Sequence, residues 1–262
     1  MNTNPFESGN RPYRLPVGKI LIGALFICWS NRKNLLNGLL PTITLIIGIG
    51  LAWQLSGVKL NNPVSVFFVA LSLLLFAKFA VICHRLVLVD FNAGSRLILP
   101  FSWSERETRF VRSMIIVYAI TSIGSIIISM VPLALVAQSL PEAQRNNPIA
   151  LFPFAVLLAG IPAIYLLARM SLVFPATAVD AQAGLAWAWN KSRGNGIRLA
   201  IIVGLIPWIS AALEYYLTRL IQGTIAALFS NLVNYVLIVI EITALSLAYR
   251  ELVQQEPVSN AD

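Results

Sequence analysis

Three ionisable residues stand where a membrane would resist them. Lys78, Arg169 and Glu241 each interrupt a long apolar run, and a charge at the bilayer centre opposes insertion by roughly 2.5–3.5 kcal/mol. Such a residue either pairs inside the protein as a structural lock, relays a proton or an ion, or reaches for the headgroups. Lys78 and Arg169 have stems long enough to carry their charge toward water. Glu241 reaches less far. Asn231 and Asn234 share its run at separations of three and seven residues, close to one and two helical turns, so the three fall on one helix face. This pattern predicts an intramembrane polar cluster of Lys78, Arg169, Asn231, Asn234 and Glu241, with Glu241 paired to Lys78 or Arg169.

The elements that must position these residues follow from composition. Of 262 residues 58% are hydrophobic and 11% charged, at a mean hydropathy of +0.77, whereas soluble domains run at about 45–50% apolar and about 25% charged. Six stretches reach the roughly 20 apolar residues that a crossing helix needs: 35–55, 64–83, 113–137, 149–174, 199–217 and 225–248. Backbone amides in hydrocarbon must bond within their own segment, so these are helices. The fold class is therefore an all-α membrane protein, a bundle of about six transmembrane helices forming one domain over 15–252 between disordered tails at 1–14 and 253–262. Pro63 and Pro148 each follow an Asn, an arrangement that suits the first turn of a helix.

Orientation comes from Lys and Arg. Lys59, Arg145 and Arg219 lie on one side and Lys78 within a span, while the remaining fifteen of the 19 basic residues fall on the other side. The positive-inside rule makes that side cytoplasmic and puts both termini there, in a multi-pass protein of a bacterial-type inner membrane. The run 17–30 is too short to span and carries positive charge at both ends, so an interfacial helix is expected, not a cleaved signal peptide.

Three basic segments each combine Trp with Lys or Arg ahead of an outward helix: Trp29, Arg32 and Lys33; Trp103, Arg106 and Arg109; Trp187, Trp189, Lys191 and Arg193. They divide the chain into three helical hairpins, and their chemistry suits anionic headgroups or a membrane protein partner. Small residues at four-residue spacing mark close helix approach at Gly48, Ala52 and Ser56, at Thr121, Ser125 and Ser129, and at Ala155, Ala159 and Ala163. The last two stripes are expected to face each other.

Catalytic motifs are missing: there is no GxSxG, HExxH or P-loop. Cys28 and Cys83 sit beside basic clusters on the reducing side, and His84 is the single histidine. No disulfide, metal or cofactor is expected, and the scattered basic residues do not form a nucleic-acid-binding module.

From Arg169 the sequence runs Ala-Arg-Met-Ser-Leu-Val-Phe-Pro-Ala and then Trp-Ala-Trp-Asn-Lys-Ser-Arg-Gly-Asn-Gly-Ile-Arg-Leu, starting at Ala168 and at Trp187. These segments, with His84-Arg85-Leu86-Val87-Leu88 and Ala248-Tyr249-Arg250, resemble uncharacterised bacterial inner-membrane proteins related to the membrane domain of some glycerophosphoryl diester phosphodiesterases. The resemblance implies a helical membrane module with no assigned activity. The phosphodiesterase catalytic domain is missing from this sequence. The expected function is a non-enzymatic accessory, scaffold or envelope-maintenance component, against the alternative of a small transporter or lipid-translocating protein built around Glu241. An enzyme acting on lipid would need a pocket gathering His84, Asp90 and Asp180.

Overall fold

The computed structural model describes residues 13–58, 61–90, 102–141, 148–220 and 224–254. All regular structure in them is α-helical: α1 (Val17–Ser30), α2 (Arg32–Ser56), α3 (Pro63–Leu88), α4 (Glu105–Ser139), α5 (Pro148–Met170), α6 (Val173–Ala178), α7 (Leu185–Lys191), α8 (Gly196–Leu220) and α9 (Thr224–Gln254). Six of the helical stretches are long and apolar enough to cross a membrane. The outer surface carries Ile, Leu, Val and Phe side chains along most of its length, which water would not tolerate and lipid solvates. The chain is an integral membrane protein.

Helix starts follow local chemistry. Asn62 caps α3 by accepting from the Val64 N–H at 2.9 Å, with Pro63 in the first turn; a proline there loses no helix bond because that position has no partner to offer. Ser104 and Glu107 form a reciprocal capping box at the start of α4, which satisfies two of the N–H groups a helix end leaves open. Gly57 ends α2 at φ 64°, a left-handed conformation that glycine adopts without a Cβ clash. The stretch expected to span 149–174 divides instead: α5 ends at Met170 and α6 begins at Val173.

The three hairpins pack as α2 with α3, α4 with α5, and α8 with α9. Beyond these pairs, α9 lies against α3, α5 against α8, and α3 against α4. Helices α3, α4, α5, α8 and α9 thus close a ring, with α2 outside α3 and α1 laid across α9 and α8. On α1, Ile20 and Ala24 are buried while Ile22, Phe26 and Trp29 on the other side are exposed. The α1–α9 contact also holds Cys28, whose thiol donates to Thr243 Oγ1 at 3.3 Å.

Small residues set the closest approaches. Thr121, Ser125 and Ser129 are buried on α4 and that helix packs on α5, which carries the Ala155, Ala159 and Ala163 stripe. Gly48 meets nothing and Ala52 and Ser56 are exposed, so the first stripe faces away from the rest of the chain. Gly204 of α8 lies close against α5: a Cβ there would stand 2.8 Å from Ile164 Cγ2. Isoleucine is stiff at χ1 and does not yield easily.

The two ends of the described chain meet. Tyr13 donates its hydroxyl to Glu251 at 2.8 Å, and Asn195 accepts from the Leu15 N–H at 2.9 Å while donating to the Tyr13 carbonyl at 2.7 Å. This corrects the boundary of the N-terminal tail: Tyr13 and Arg14, expected to be disordered, are described, and the backbone at Tyr13 and Leu15 is tied to the turn before α8. Gln254 ends α9; residues 1–12 and 255–262 lie outside the described residues.

Gly204→Val is expected to lower stability in detergent by about 1–3 kcal/mol, the range for overpacking a close contact, and adding Ile164→Ala should restore part of it. Thermal unfolding of the single and double variants checks this.

Candidate functional site

The five residues expected to form one polar cluster divide among separate environments. Lys78, just past the middle of α3, donates to Glu107 Oε1 at 2.8 Å and to the Ser102 carbonyl, and both charged side chains are only 5% exposed. Glu107 serves two purposes, since its other oxygen accepts from the Ser104 N–H at 2.9 Å. The expected pairing of Glu241 with Lys78 is therefore overturned, because the capping carboxylate at the start of α4 already occupies the ammonium. The spacing Ser104-x-x-Glu107 carries the signal for this partner.

Arg169 is not the partner of Glu241 either. Its Nε donates to Ser192 Oγ at 3.0 Å, its Nη2 to the Trp189 carbonyl, and its guanidinium lies 3.7 Å from the Trp189 ring centroid. A planar guanidinium stacks on an indole face while its edge donates hydrogen bonds, so Arg169 fastens the end of α5 to α7. Asn231 is exposed on the outside of α9, away from the other four.

Glu241 and Asn234 remain together. They line a cavity of about 540 Å3 enclosed by the ring of α3, α4, α5, α8 and α9, with Phe174 of α6 contributing to its wall. Asn234 accepts from Ser210 Oγ at 2.6 Å, which ties α9 to α8. The Glu241 carboxylate has no hydrogen bond or ion pair among the described residues. His84 also lines the cavity, and its Nδ1 lies 2.8 Å from Ser246 Oγ. Ser246 Oγ also donates to the Ile242 carbonyl at 2.8 Å, and with its one hydroxyl proton spent there it can only accept from the His84 ring.

A second constellation holds α6. Asp180, just beyond that helix and at φ 62°, accepts from Arg106 Nε at 2.9 and 3.0 Å and from Arg109 Nη2 at 2.8 Å. Arg85 Nη1 stands 3.6 Å from the same carboxylate and donates to the Ala178 carbonyl at 3.2 Å. Hydrogen bonding from Arg106 is the main influence holding the Asp180 carboxyl below its ordinary value of 3.8; partial burial opposes it, and the charges of Arg106, Arg109 and Arg85 reinforce it. Three guanidinium groups around one carboxylate leave a surplus of positive charge. A smaller cavity of about 280 Å3 adjoins them, lined in part by Arg85, Trp103 and Arg106.

The remaining aromatic and basic residues at this end take different partners. Arg32 lies 4.9 Å from the Trp29 ring centroid, Trp103 donates to Thr108 Oγ1 at 2.9 Å, and Trp187 packs on Tyr249. Lys33 and Arg193 are exposed and Lys191 is half-buried. The gathering of His84, Asp90 and Asp180 that a lipid enzyme would need does not occur at either cavity. His84 lines the larger, Asp90 the smaller and Asp180 neither.

Comparison with protein families, with curated proteins and with solved structures finds no match to this chain. The reading of the site rests on its own geometry.

Lys78→Met is expected to destabilise the protein by about 3–5 kcal/mol, because it leaves the Glu107 carboxylate buried without a counter-charge. Lys78→Met with Glu107→Gln, which keeps the capping geometry, should lose less than the single variant, as chemical denaturation of both will reveal. For Asp180, a depressed carboxyl stabilises the fold above its ordinary pKa, and that contribution is lost as pH falls through the depressed value. Asp180→Asn should therefore melt earlier than the native chain at neutral pH, with the gap narrowing below about pH 3.8.

Proposed function

We propose that this is a non-enzymatic, multi-pass protein of a cell inner membrane that holds a small amphiphilic molecule in the middle of its helix ring, as a small transporter or lipid-translocating protein does. The observation that carries this reading is Glu241: an acidic side chain facing a cavity of about 540 Å3 with no hydrogen bond or ion pair among the described residues. A scaffold gains nothing from such an arrangement, since a buried charge is destabilising unless paired. The volume falls within the roughly 300–1,000 Å3 typical of small-molecule sites. The separation of charges supports the same reading, because Lys78 and Arg169 are used structurally and Glu241 alone is left for a ligand.

Both termini face the cytoplasm in this proposal, and the surplus charge of Arg85, Arg106 and Arg109, with Trp29, Arg32, Lys33 and Arg193, meets anionic headgroups there. Basic residues near a membrane surface attract such lipids by about 1 kcal/mol each. The exposed apolar side of α1 fits the boundary between headgroups and acyl chains. The accessory or scaffold role stays as the second reading, favoured by the packed and paired state of Lys78.

The test is thiol labelling with a membrane-impermeant reagent in a Cys28→Ser, Cys83→Ala background. Thiols placed at Asn234 and Glu241 are expected to react in the folded protein, whereas one at Phe79, fully buried in the core, should not. A thiol at Arg193 should react only from the cytoplasmic side and one at Lys59 only from the other. Protection of positions 234 and 241 until the protein is unfolded would favour the scaffold.

A further inference from the structure

Every other buried or half-buried charge described above has a protein group to answer it: Lys78 has Glu107, Asp180 has its arginines, and Arg169 has the Trp189 ring and two acceptors. Glu241 is the exception, and its surroundings say what is missing. Among the described residues no Lys or Arg lines its cavity, and Glu241 is the one acidic residue that does. Phe76, Phe110, Phe174, Tyr118 and Trp208 supply aromatic surface, and the faces of such rings attract cations. Tyr118 and Trp208 stay 46% and 51% exposed, so these two stand at the rim. Pro207 also lines the cavity and has no N–H to give the Val203 carbonyl one turn earlier, which leaves that backbone acceptor short of its helix partner.

We propose that the cavity takes a lipophilic cation, an amine or an onium ion on an apolar body, with the Glu241 carboxylate as its counter-charge. This rests on the reading of the cavity as a ligand site and adds the class of ligand. An anionic amphiphile would bring like charge against Glu241 in a medium that screens poorly. A neutral one would fill the apolar volume and leave the carboxylate unanswered. A cation satisfies the carboxylate, the rings and the apolar wall together, and the described lining places no competing Lys or Arg in its way.

The experiment measures saturable binding of tetraphenylphosphonium to the full chain in lipid nanodiscs by equilibrium dialysis, with protein-free nanodiscs subtracted. Tetraphenylborate, of matching shape and opposite charge, is run in parallel. Saturable binding of the cation is expected, none is expected of the anion, and Glu241→Gln should weaken the cation by about tenfold or more, as losing a charge-assisted contact does. Glu241→Gln keeps the side-chain shape and removes an unpaired charge, so it should fold; a melting temperature equal to or above that of the native chain establishes that. Equal binding of both ions, or an unaltered affinity in Glu241→Gln, would overturn the cation assignment while leaving a ligand cavity. Absence of saturable cation binding also overturns it, and the thiol labelling at 234 and 241 then decides separately whether the cavity reading survives.

Discussion

Hydrocarbon does not solvate charge, and most of this architecture follows from how each charged side chain is answered without water. The Lys78–Glu107 pair is the clearest case. Its ammonium comes from just past the middle of α3 and its carboxylate from the first turn of α4, so the pair spans the junction between two hairpins. The same carboxylate caps α4, which couples the start of a 35-residue helix to the charge balance of its neighbour. Attraction in a poorly polarisable interior is strong, but it only offsets desolvation when the remaining lone pairs are also satisfied. Ser104 and the Ser102 carbonyl supply that completion.

The same constraint shapes the basic end of the bundle. Asp180 draws in arginines from α3 and α4, and Arg169 draws α7 onto α5. These contacts pin the short helix α6, whose Phe174 packs against Phe110 and enters the cavity wall. The ring of five long helices is thereby covered at one end by an element too short to hold itself in place. Interaction strength at Asp180 falls with solvent screening, since its side chain is 40% exposed, so this end is held more weakly than the interior pair. Between them lies the cavity lined by Glu241, whose carboxylate has no hydrogen bond or ion pair among the described residues.

Much of this was legible before any coordinates. The number of spans, their hairpin pairing, the proline starts at Pro63 and Pro148, and the buried stripe of α4 all depend on local pattern, which a helix expresses wherever it sits. The polar face of α9 was half legible. Asn234 and Glu241 do share a cavity, yet Asn231 is turned outward, because a face defined by seven- and three-residue spacing is broad enough to straddle the edge of a contact. Glu107 is not legible as the partner of Lys78, because its position in the basic segment marks it as a surface residue and only its capping spacing hints otherwise.

The sequence alone determined that lipid is the solvent and that helices are the answer, for the physical reason that a continuous apolar run with no backbone partner elsewhere has no other stable form. It also determined which side of the bundle is basic. Who pairs with whom was decided by tertiary structure, because charge pairing depends on which helices become neighbours, and that choice is made by small-residue packing at places such as Gly204 and Ile164. The cavity belongs to the same category: five helices from three hairpins each contribute a wall, and no single one of them records that the space between them exists.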